Sequence, residues 1–92
     1  MEEHCYIISY DLVASGKAYE ELYSAIKSYL IWGRLTESTW AVVTSQSYIQ
    51  IRDNLKRYID ENDKLIVIQS GRAAAWTKIL ASDNWAKANL VK

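Results

Sequence analysis

The acid that ends the first apolar run is the first residue placed to do chemistry. Asp11 closes Cys5-Tyr6-Ile7-Ile8-Ser9-Tyr10, and the end of such a strand commonly presents its side chain to a cleft or an axis. One carboxylate makes a poor metal site, but a two-fold axis nearby would supply a second and allow a hard cation such as Mg²⁺ or Mn²⁺. The same Asp can equally bond its own downstream backbone and simply shape the turn. Beyond it, Gly16-Lys17 invites comparison with a phosphate loop. That motif needs Gly where Asp11 stands and Ser or Thr where Ala18 stands, so the metal-binding hydroxyl is missing. What survives is a helix start with Lys17 beside its free N–H groups, which can hold an anion or serve as an ordinary strand-to-helix turn.

Other chemistries are excluded by count and spacing. His4 is the one His and Cys5 the one Cys, and as neighbours on a strand they point to opposite faces. They cannot share a metal, form a Cys–His nucleophile pair or build a disulfide framework. No Gly-x-Ser-x-Gly elbow is present. Seven Tyr and four Trp are a high aromatic load in 92 residues, and Tyr6 or Tyr10 with Trp40 could offer the base-stacking platform of an RNA-binding sheet. The glycine-rich basic motif of such sheets is absent around Trp40. Five of the Tyr fall on expected buried helix faces, where they pack. Trp32, Trp40 and Trp76 remain candidates for nucleotide stacking, because a Trp near a strand end combines an apolar body with a polar edge.

These residues need elements to hold them. His4 to Tyr10 reads as a strand. Tyr19, Leu22, Tyr23, Ile26, Tyr29 and Leu30 recur at helical spacing, with Glu20 and Glu21 suited to the first turn. Ile31–Thr36 and Ser38–Thr44 read as two strands turning at Glu37. A second helix begins at Ser45 or Ser47, where Ser47 and Gln50 have the form of a capping box. Its buried face would be Tyr48, Ile51, Leu55, Tyr58 and Ile59. After the polar 60–63 connector, Leu65-Ile66-Val67-Ile68 reads as a strand ending at Ser70-Gly71. Ala73, Trp76, Ile79 and Leu80 could line a last helix, and Ser82-Asp83 could cap a shorter one carrying Trp85 and Leu90.

The order strand, helix, strand, strand, helix, strand is the split βαβ pattern. It predicts an α+β, ferredoxin-like βαββαβ domain over residues 1–70. Four antiparallel strands would carry two helices on one face, with a helical tail over 71–92 packed on this domain or on a partner subunit. Eleven basic and eleven acidic side chains cancel, so the chain lacks the overall basic field of a protein that grips long duplex DNA. With no long apolar run and an acidic N-terminus, the expectation is a cytoplasmic protein that contacts no membrane. The strands Tyr6-Ile7-Ile8 and Leu65-Ile66-Val67-Ile68 are apolar on both faces, so something must cover the second face. The tail is one candidate and a second copy of the chain the other; two-fold homodimers are the commonest closed assembly.

Tyr6-Ile7-Ile8-Ser9-Tyr10-Asp11, together with Arg34, Ser38 and Trp40 at their spacing, resembles the small ferredoxin-fold CRISPR-adaptation subunit and its superfamily relative, virulence-associated protein D. The segments Ser38-Thr39-Trp40, Ile51-Arg52-Asp53, Ala74-Ala75-Trp76 and Asn84-Trp85 are similar to small SinR-like bacterial and phage proteins. The chain departs from the pattern at Thr36, where Gln is expected. The resemblance implies a homodimer with the Asp11 pair near the two-fold axis, recognising nucleic acid or nucleotides. Some members are metal-dependent nucleases, which would make Asp11, Arg34 and Ser38 catalytic. Asp11 would bind Mg²⁺ or Mn²⁺, Arg34 would neutralise phosphate charge, and Ser38 would position a nonbridging oxygen. Lys17 and Arg34 would contact phosphate, with stacking from Trp32, Trp40 or Trp76. The alternative is a non-enzymatic binder that sequesters a small nucleotide signal or docks on a protein partner, for example in phage defence or counter-defence.

Overall fold

Alternation of inward and outward side chains builds β1 (His4–Asp11) with Tyr6, Ile8 and Tyr10 on one face and Cys5, Ile7 and Ser9 on the other. The computed structural model describes residues 2–13 and 19–92, so the Gly16-Lys17 anion site expected from the sequence lies outside the described residues. The elements that follow are α1 (Glu20–Lys27), β2 (Ile31–Thr36), β3 (Thr39–Thr44), α2 (Tyr48–Lys56), β4 (Lys64–Gln69) and α3 (Asp83–Asn89). They form an α+β structure with one four-stranded antiparallel sheet in the order β2-β3-β1-β4.

The helices α1 and α2 cover one face. Leu22, Ile26, Ile51 and Leu55 are fully buried against Ile8, Trp40 and Val42. Each such aliphatic side chain contributes roughly 1.5–3 kcal/mol by leaving water. Ser47 starts α2 through the expected box: its Oγ accepts from the Gln50 N–H and the Gln50 side chain accepts from the Ser47 N–H. Asp63 ties the α2–β4 connector to the region before α1, accepting from the Val13 and Asp60 N–H groups and from the Tyr19 hydroxyl.

The tail covers much of the second face. Cys5, Ala41, Val43 and Leu35 pack against Ala86 and Leu90, with Ile7, Trp76, Ile79 and Trp85 around them. The expected helix through Ala73, Trp76, Ile79 and Leu80 does not form. Arg72 and Lys78 adopt left-handed φ angles of 60° and 55°, and the Leu80 N–H donates to the Leu35 carbonyl at 3.0 Å rather than closing a helical turn. Only the shorter helix, α3, is made. Its N-cap Ser82 accepts from the Trp85 N–H.

Two residues expected on the buried faces of the first two helices are exposed. Leu30 follows the end of α1 and stands almost wholly in solvent, because the chain has already turned toward β2. Tyr48 opens α2 in its first turn, while Ile51 and Leu55 supply the buried stripe. The tail also stops short of β4. Ile66 and Ile68, on the same face as Ser9 and Ile7 by register, remain 54% and 52% exposed.

Candidate functional site

The β2–β3 hairpin gathers the densest chemistry. Its two turn residues, Glu37 and Ser38, join strands whose register slips between Arg34 and Thr36, and Arg34 Nη2 donates to the Glu37 carbonyl at 2.7 Å. Arg34 is opposite Trp40, on the α1 side of the sheet. Its guanidinium carbon is 4.8 Å from the Trp40 ring centre and 5.0 Å from that of Tyr23. Cation–π contacts of this kind contribute about 0.5–2 kcal/mol each. A guanidinium has five N–H donors. Arg34 makes one hydrogen bond and no ion pair with the described residues, and its Nε is sealed from solvent with no partner.

The row continues past Trp40. Trp32 is tilted against it at 5.8 Å between ring centres, and Lys27 Nζ lies 5.5 Å from the Trp32 ring. Behind the row, the Trp40 indole N–H donates to the Tyr10 hydroxyl at 2.9 Å, and that hydroxyl donates to the Glu37 carbonyl at 3.1 Å. Burial pushes the Tyr10 phenol above its ordinary pKa, opposed by the Trp40 hydrogen bond and the Arg34 charge. Burial likewise raises Tyr29, whose hydroxyl donates to Gln46, and Cys5, where the Arg72 charge works the other way.

The expected site residues therefore separate. Trp40 is fully buried and its ring serves the core, so it offers no face to a base; its role is to support Arg34 and Trp32. Trp32, 37% exposed, keeps accessible indole surface. Trp76 lies across the sheet, half-buried in the tail's cluster, with its N–H on Asp83. Ser38 is exposed in the hairpin turn, and its carbonyl accepts from the Tyr10 N–H. Asp11 stands exposed opposite Lys64, and the pleat of β1 puts it on the tail side with Ser9. Arg34 faces the helices. Within one chain, Asp11 and Arg34 thus do not converge on one face.

Among the described residues no group of three or more His, Cys, Asp and Glu side chains comes together, so Asp11 does not make a metal centre by itself. No described helix is long and apolar enough to cross a membrane.

Lys27, Tyr23 and Trp85 complete the neighbourhood, and sequence reasoning passed over all three as site residues. Trp85 lies on Gly33: a Cβ built there would sit 2.7–2.8 Å from three of its ring atoms. A glycine between Trp32 and Arg34 in an edge strand is the signal that could have revealed this close approach. No family model matches the chain, and no curated protein matches it.

Proposed function

We propose that the chain is a ferredoxin-like homodimer that recognises nucleic acid or nucleotides through the outer edge of β2. Read from the other edge, the strand order is β4-β1-β3-β2, and with both long helices on one face it suits the split βαβ arrangement. The observation that carries the functional reading is Arg34. A half-buried cation that has, among the described residues, one hydrogen bond and no carboxylate partner invites an anion with several acceptor oxygens. Trp32 and Lys27 beside it add a stacking surface and a second positive charge, the pairing that phosphate and base together require.

The experiment is tryptophan fluorescence of the native chain and Arg34→Gln during titration with short RNA and DNA at several salt concentrations. Quenching is expected, with an affinity that falls as salt rises and a salt slope that is shallower by about one phosphate contact in the variant. A response confined to mononucleotides or cyclic dinucleotides would make the protein a sequestering module. Silence toward every nucleotide and nucleic acid refutes the reading.

The dimer is supported by Ile66 and Ile68, exposed side by side on an uncovered edge strand. Light scattering at micromolar concentration is expected to give twice the 10.6 kDa chain mass. Ile66→Lys with Ile68→Lys should halve it, and a monomeric native chain ends the dimer proposal. Catalysis would rest on Asp11 with Arg34 and Ser38, and among the described residues of one chain no cluster of metal-ligating side chains forms around Asp11, so no step is assigned. Cleavage of labelled RNA or DNA that needs Mg²⁺ or Mn²⁺ and is lost in Asp11→Asn would establish the nuclease.

A further inference from the structure

Along the outer edge of β2 runs a groove of about 260 Å³, bounded by Trp32, Gly33 and Arg34 on the strand and by Ser82 and Trp85 on the tail. Ligand pockets for drug-sized molecules start near 300 Å³. This one therefore has room for a single planar group and its substituent. The Trp85 ring covers Gly33, and Trp32 and Arg34 border the groove on either side of that glycine along the strand. Arg34 lines the same groove while, among the described residues, most of its donors stay unspent.

Resting on the nucleotide-recognition reading above, we propose that this groove takes one unstacked nucleotide of a single strand. Its base lies against Trp32 and its phosphate is shared by Arg34 and Lys27. Two observations favour a single strand over a duplex. The accessible indole belongs to an edge residue, and a base reaches such a ring only when it has left its own stack. Among the described residues the cations beside the aromatic row are Lys27 and Arg34, in a chain of zero net charge, whereas a duplex is held by a track of many phosphate contacts. Lys27 is an exposed side chain resting over the Trp32 ring.

Two phosphate contacts on a single strand correspond to a log–log salt slope of about −1.4. Base–aromatic stacking of about 1–3 kcal/mol corresponds to a loss of roughly 5- to 150-fold when the ring is removed. The test measures binding of a short single strand, the same sequence as a blunt duplex, and the free mononucleotide. The native chain is compared with Trp32→Ala, Lys27→Gln and Arg34→Gln, with circular dichroism as the folding control. Fluorescence anisotropy of labelled ligands provides the readout, so loss of an indole does not alter the signal itself. Where Trp32→Ala fails to fold, Trp32→Leu keeps apolar bulk against Trp40.

The single strand is expected to bind at least about tenfold more tightly than the duplex, at a slope of about −1.4. The Trp32 variant should lose the stacking factor, and each cation variant should flatten the slope by about 0.7. A mononucleotide that matches the strand and loses affinity in the same variants also supports the site. Equal or tighter duplex binding, a much steeper slope, or full affinity in the Trp32 variant overturns this inference while leaving nucleic-acid recognition standing. No binding of any of the three ligands overturns both.

Discussion

Gly33→Ala tests how the tail is seated on the sheet. Gly33 is buried, and its φ lies outside the left-handed region, so alanine fits the backbone without strain. The whole cost comes from the added methyl, which would stand 2.7 Å from Trp85 Cη2 and 2.8 Å from Cζ2 and Cζ3. Carbon atoms prefer about 3.5–4.0 Å, so the ring must withdraw by roughly 1 Å. Trp85 belongs to α3 and packs in the cluster that seals the second face, so withdrawal loosens its contacts there. Because the clashing atoms are the far end of one side chain, the expected cost is about 1–2 kcal/mol, the lower part of the range for overpacking.

At the size of this domain, that lowers the melting midpoint by about 4–16 °C. Urea unfolding followed by far-ultraviolet circular dichroism gives the free energy, and a double-mutant cycle with Trp85→Ala assigns it. With the indole gone, Gly33→Ala should be neutral or slightly stabilising, since alanine restricts the unfolded chain. The coupling energy should then be at least about 1 kcal/mol. Equal costs for Gly33→Ala in the two backgrounds would refute the contact, and no cost in the native background would refute the seating of Trp85.

Tyr10→Phe leaves the buried Trp40 indole N–H without its acceptor, and denaturant unfolding should show a loss of about 1–3 kcal/mol. Ser47→Ala removes half of the α2 capping box and should cost about 1 kcal/mol by the same measurement. Alkaline pH should destabilise the fold through Tyr10 and Tyr29. Burial raises both pKa values above 10.0, so the unfolded chain loses these protons first. Their contribution is complete below about pH 10 and declines as pH rises toward the folded values. Unfolding midpoints across that range should fall, and Tyr10→Phe should fall less steeply over the same interval.

Local pattern was enough to foresee the six elements from β1 to β4, because each carries its own periodicity or punctuation. The apolar run before Asp11, the 3.6-residue spacing through Leu22 and Ile26, and the Ser47–Gln50 box are all properties of neighbouring residues. Apolar character on both faces of β1 also announced that the second face needs cover. The sequence could not decide what covers it. Tail residues 73–80 carry an apolar spacing compatible with a helix, but their backbone is recruited by Leu35 and their side chains by the sheet, and tertiary contacts outweigh a weak local preference.

The candidate site divides in the same way. Arg34, Trp32 and Trp40 were visible as residue types that bind anions and bases. Only the fold buries Trp40, leaves Trp32 at the edge and places Arg34 between two rings. Lys27 meets Trp32, and Trp85 meets Gly33, across gaps of 5 and 52 positions in the chain. Periodicity reports which face a residue belongs to. Which distant residue shares that face is set by strand pairing and by the path of the tail.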